Sequence, residues 1–170
     1  ALTMTLQMRH LVTLPAGYDT DGLISLTTYD LSSRALQDEL VNRLKALPQV
    51  EEVGKFLNIP LHSANNGVHI EEGKTSWLSM TSIDSVSFRL LGFQVLEQYG
   101  EPLERQCWFT EEAQKRYGVT QQNRGLVNSN NETEYECCGI IADFRSKSPL
   151  STPMEDSHNV VMVRNDLWGG

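Results

Sequence analysis

The stretch Thr133–Leu150 constrains this chain most, because it contains a strand that cannot sit at the rim of a sheet. From Cys137 to Ala142 both alternating sets of side chains are small or apolar: Cys137, Gly139 and Ile141 on one, Cys138, Ile140 and Ala142 on the other. A strand wet on one face would alternate apolar with polar, so this one is covered on both faces and central. Gly139 weakens its interior and marks a bulge or a close approach of other backbone. Asp143 and Arg145 then bring the chain to solvent, and Pro149 ends any extended run.

The 170 residues suffice for one domain with a real core, or two small lobes sharing one. At 39% hydrophobic and 21% charged the chain is globular material without a disorder signature. A net charge of −8 and no basic run argue against a nucleic-acid or anionic-lipid surface, which needs clustered Lys and Arg to neutralise phosphate. No apolar run approaches the roughly 20 residues that cross a bilayer. Ala1 is not an initiator and a helical pattern is already running at residue 2, so the sequence reads as a piece of something longer.

In chain order, Leu2–Leu14 places Leu2, Leu6, Met8, Leu11 and Val12 at helical spacings, with Pro15 as the stop. It reads either as a helix docked on the core or as the continuation of a transmembrane helix. Gly17–Gly22 is a turn. Leu23–Tyr29 has the β-branched content of a strand. Ser32 or Ser33 caps a helix whose Leu36, Leu40, Leu44 and Leu47 form one apolar line, expected to pack on a sheet, and Pro48 ends it. Val50–Leu57 is a second strand with Gly54 as a bulge, which completes a right-handed βαβ unit. Leu61–Gly67 is polar and glycine-bearing, a lobe boundary. Val68–Ile70 and Thr75–Ile83 read as strands, Asp84 caps a short helix stopped by Gly92, and Phe93–Leu96 returns to strand. Thr110 caps a helix after Trp108-Phe109, with Glu111 and Glu112 at its positive end, Arg116 near its negative end and Gly118 as its stop. Asn123–Glu132 is a polar loop. Asn159–Arg164 is a strand apolar on both faces. Trp168 suits either a lipid headgroup zone or an ordinary, partly buried site.

Several of these pieces stand in the order found in one family. The Gly17-Tyr18-Asp19 turn, the junction carried by Leu44, Leu47-Pro48, Val50 and Val53, and the run Asp84, Phe88, Leu91-Gly92 and Phe93–Leu96 are three of them. The helix Thr110–Gly118 and the Ile140-Ile141…Asp143-Phe144 strand complete the set. Together they resemble the extracytoplasmic core domain of FtsX/MacB-type ABC transporter permeases over roughly Gly17 to Arg164. The family's glycine-arginine after the strand matching Phe93–Leu96 is replaced here by Glu97-Gln98-Tyr99-Gly100, and Thr110 stands where asparagine is common.

Read from the residues alone, the fold class is α+β, with the first and last thirds of the chain sharing a sheet. The resemblance implies a split ferredoxin-like (porter-type) lobe, βαβ…ββ, from residues 17–60 and 126–166, with a second α+β lobe inserted at 61–125. Residues 1–16 would then be a helix continuing from a preceding transmembrane segment, and 167–170 the approach to a following one. It implies an extracytoplasmic (periplasmic) domain of an inner-membrane protein that relays ATP-driven motion to a lipoprotein, peptide or toxic compound, without catalysis of its own. The partners implied are a cytoplasmic ABC ATPase, a second permease copy or homologue, and a periplasmic or outer-membrane partner, with no nucleic acid. A ligand-sensing module for peptides or small molecules is the alternative.

No catalytic, cofactor-binding or metal site assembles from the sequence. His62 and His69 lie seven apart with no shared-ligation logic, and His10 and His158 are isolated, so all four read as surface residues. Cys137 and Cys138 point to opposite faces of a strand and read as small buried hydrophobes. Cys107 could meet Cys137 or Cys138 in a disulfide if the domain faces an oxidising compartment. Glu51-Glu52, Glu71-Glu72 and Glu111-Glu112 are adjacent pairs whose side chains diverge, unlike an acid–base dyad. Neither GxxxxGK[ST] nor GxGxxG occurs, so no nucleotide cradle is present. Asn131-Glu132-Thr133 fits the glycosylation pattern by coincidence.

Overall fold

The computed structural model describes residues 15–26, 33–60, 64–71, 74–101, 104–122, 126–128, 134–146 and 158–167. Their α+β architecture comprises helices α1 (Arg34–Lys45), α2 (Ser85–Leu90) and α3 (Glu111–Tyr117). The strands are β1 (Phe56–Asn58), β2 (Ala64–Glu71), β3 (Lys74–Ile83), β4 (Val95–Gln98), β5 (Arg105–Thr110), β6 (Leu126–Asn128), β7 (Glu134–Ile141) and β8 (His158–Arg164). All eight belong to one mixed sheet. β2 and β3 form an antiparallel hairpin, β6 pairs antiparallel with both β2 and β7, β5 lies parallel to β7, and β8 sits antiparallel to β5 and parallel to β3. The neighbours β3, β2, β6, β7, β5 and β8 thus return to β3 in a closed circuit. β1 is appended to β3 and β4 to β7. Strands from 61–125 and from 126–166 are therefore joined by main-chain hydrogen bonds.

Each central strand divides its side chains between two cores, one on each face. Val160 and Met162 of β8 enter one core with Cys107, Phe109, Tyr135 and Cys137, while Val161 and Val163 enter the other with Trp108, Cys138, Phe93 and Phe144. α3 covers the first core through Ala113, and Phe88 of α2 packs against the second. The doubly apolar patterns of β7 and β8 have this cause. Within β7, however, the alternation breaks. Cys107 pairs with Cys137 and Trp108 with Gly139, so Cys138 is bulged out. Beyond it Ile140 lies in the Cys137 core and Ile141 in the Cys138 core, the reverse of simple alternation.

The caps follow the sequence reading. Ser33 Oγ accepts from Leu36 N, Asp84 Oδ1 from Ser87 N at 2.7 Å, and Thr110 Oγ1 from Ala113 N, while Gly118 ends α3 at φ +64°. Other expectations are corrected. No residue of α1 is buried, Leu36 is 49% exposed, and none of its leucines belongs to either described core. The expected strand Val50–Leu57 shrinks to β1, and it runs antiparallel to β3. Leu23–Leu26 belong to no strand, and Thr27–Tyr29 lie outside the described residues. β1 and β2 share one edge of β3 and β8 takes the other. Gly54 is no bulge; it gives room to Ser87, whose hydroxyl donates to Lys55 O. Ala64–Gly67 are strand, the polar loop contains β6, and β4 begins two residues later than read.

Candidate functional site: the two anchors flanking the sheet

Two short segments tie the chain to the sheet at opposite ends of β8. At the first, Arg145 donates twice: its main-chain N–H to Ala16 O at 2.8 Å and its guanidinium to Pro15 O at 2.7 Å. Asp19 N donates to Leu91 O at 2.7 Å. Gly17 is held at φ +82°, and a Cβ there would lie 2.7 Å from both Asp143 O and Phe144 Cα. Only glycine admits so close a pass between two main chains. Tyr18 packs against Phe93 and edge-on to Phe144. Burial pushes its phenol above the ordinary value, partly offset by the Arg145 charge.

This anchor is welded to β8 by polar side chains. Asn159 Nδ2 donates to Phe144 O at 2.7 Å, Thr110 Oγ1 donates to Asn159 O at 3.1 Å, and Asp143 Oδ1 accepts from Glu112 N in the first turn of α3. A carboxylate there also suits the positive end of the helix dipole. The Gly-Tyr-Asp turn and the Asp-Phe-Arg exit, read separately in sequence, are brought into contact. Asp143 as a second ligand for the helix start was not legible, since its partner lies 31 residues away.

At the far end of β8, Asn165 Oδ1 accepts from Ser85 N and from Ser85 Oγ at 2.9 Å, and Leu167 is buried. Asp166 accepts from Arg164 Nε at 2.6 Å and from Arg105 at 3.2 Å, while Arg164 also donates to the Tyr135 hydroxyl. The Arg164 hydrogen bond foremost, assisted by Arg105, holds the Asp166 carboxyl down at about 2, against partial desolvation. The five residue steps from Asn159 to Arg164 span about 17 Å of strand.

The groups weighed for chemistry do not converge. Among the described residues no cluster of three His, Cys, Asp or Glu could hold a metal. His10 and His62 lie outside those residues. His69 and His158 occupy β2 and β8. Glu52 pairs with Arg89. Cys107 and Cys137 are buried in one core and Cys138 in the other. What the geometry offers is attachment: two points where flanking chain is locked to one sheet.

The same architecture occurs in a solved structure. The extracellular domain of the noncanonic ABC-type transporter YknZ from Gram-positive bacteria superposes with a TM-score of 0.52, covering 76% of this chain and 63% of that one at 14% sequence identity. The fold is that of an ABC transporter's extracellular domain. No protein-family profile and no curated protein sequence matches the chain. Among the described residues no helix is long and apolar enough to cross a membrane.

Proposed function

We propose that the chain is the extracytoplasmic domain of an ABC transporter permease of the MacB/FtsX kind, itself non-catalytic, which passes ATP-driven motion to a lipoprotein, peptide or toxic cargo. The supporting observation is the pairing of this transporter-domain fold with anchors at both ends of β8. Flanking chain fixed at those points moves the sheet as a body, because a close-packed interior transmits displacement instead of absorbing it. In this reading a cytoplasmic ATPase supplies the motion, a second permease copy completes the transporter, a periplasmic or outer-membrane partner receives the cargo, and the porter-type lobe (17–60 and 126–166) and the inserted lobe (61–125) move together through their shared sheet.

The test uses the full-length protein with the ATPase that co-purifies with it from membranes. Arg145→Ala removes the guanidinium bond to Pro15 and leaves the Arg145 main-chain bond to Ala16. The ratio of cargo moved to ATP hydrolysed falls severalfold while the unfolding midpoint changes little. Absence of any co-purifying ATPase, or an unchanged ratio, refutes the assignment.

A further inference from the structure

Three cysteines lie on two adjacent strands, and register and alternation decide which of them can meet. β5 and β7 run parallel with Cys107 and Cys137 as direct register partners. Both side chains are fully buried in the same core, and both cysteines are free thiols there. Cys107 Sγ lies 3.8 Å from Tyr135 O, and Cys137 Sγ lies 3.5 Å from Gly139 O. Cys138, bulged to the opposite face, sits in the other core beside Ile141. Neighbouring strands lie about 4.8 Å apart, inside the Cα window of about 4.4–6.8 Å that a disulfide tolerates.

We propose that Cys107 and Cys137 form a disulfide in the folded domain, with Cys138 left as a thiol. The inference rests on the extracytoplasmic reading above for its oxidising surroundings. The co-reactant is a small-molecule or protein disulfide. A Cys107 thiolate attacks one of its sulfurs and releases the first thiol; Cys137 then attacks the Cys107 sulfur and releases the second. One S–S bond forms and one breaks. The two cysteine protons and two electrons end on the reduced pair of external thiols. Burial first, then the neighbouring Cys137, pushes the Cys107 thiol well above its usual value. The closed core therefore has almost no thiolate to react, so the bond forms before β5 and β7 pack over it.

The 170-residue chain, reduced and unfolded, is refolded with oxidised glutathione, quenched with acid, then alkylated in denaturant. The expected count of alkylated thiols falls from three to one, and reduction lowers the thermal midpoint by roughly 7–14 °C for a closed loop of about 30 residues. Cys137 and Cys138 are neighbours, so C138S must keep the bridge and C137S must lose it. Three alkylated thiols in the unsubstituted chain, or a bridge that survives C137S and vanishes in C138S, overturns the proposal. The same count on the full-length protein taken from cells, with an alkaline-phosphatase reporter inserted after Gly170, separates it from the reading on which it rests. An active reporter with one thiol supports both. An active reporter with three thiols overturns the disulfide. An inactive reporter overturns the extracytoplasmic assignment and leaves the refolding result to judge the bond.

Discussion

Replacing Gly139 with alanine tests the account of the bulge directly. Gly139 sits at φ +157°, and a Cβ there would overlap the Glu97 carbonyl oxygen and lie 2.6 Å from Trp108 Cζ3. The backbone conformation costs a side chain about 1–3 kcal/mol, and forcing a methyl into a filled core costs about 1–3 more. The sum, about 4 kcal/mol, is a large part of the 5–15 kcal/mol that typically separates folded from unfolded. With a slope of about 2 kcal/mol per molar, the urea midpoint falls by about 2 M. β4 yields first because, among the described strands, it pairs with β7 alone, so the amides of Tyr99 and Ala142, which donate to Cys138 O and Gln94 O, lose exchange protection before those of β8. Gly118→Ala is the control: φ is +64° with nothing within 4 Å of the added methyl, so only the conformational cost of about 1–2 kcal/mol remains. A Gly139→Ala loss no greater than that of Gly118→Ala would falsify the steric argument.

Other substitutions probe the anchors and their supports. Asp166 is ionised more readily folded than unfolded, so its contribution is complete above the unfolded value of roughly 3.9 and drains away as pH falls toward about 2. Solvent screening at this partly exposed site limits it to about 1 kcal/mol, and Asp166→Asn should flatten the acid limb of a stability–pH curve by that amount while leaving its slope above pH 5 unchanged. Thr110→Ala removes both the cap on Ala113 N and the donor to Asn159 O, costing about 2 kcal/mol by chemical denaturation. Thr110→Ser, which keeps the hydroxyl, should recover most of it, and equal losses in the two variants would show that the methyl matters instead.

What could be read from the sequence was local or strongly patterned. Asp84, Thr110 and Gly118 act within three or four residues of themselves, and Val160–Val163 announce a doubly covered strand in four letters. Partnership was less legible. Nothing near Val50–Leu57 says that β1, β2 and β8 occupy the edges of β3, and strand-like composition alone does not fix how much of a segment is paired. The leucines of α1 have helical spacing, which establishes the helix but names no surface to receive them. The anchors were half legible: both the Gly17 turn and the Asp143–Arg145 exit could be singled out, yet their contact spans about 130 residues of chain. The bulge at Cys138 was foreseen from Gly139, but not that it exchanges the faces of Ile140 and Ile141.

β8 has a further consequence when its two ends are considered under load. It is laced to β3 from His158 to Val163 and to β5 from Val160 to Arg164, and buried on both faces between these points. A pull applied along its length would strain those lateral bonds in parallel, whereas a pull across it would open them one after another. The strand is thus stiff under shear along the line joining the two anchors and weak to peeling across it.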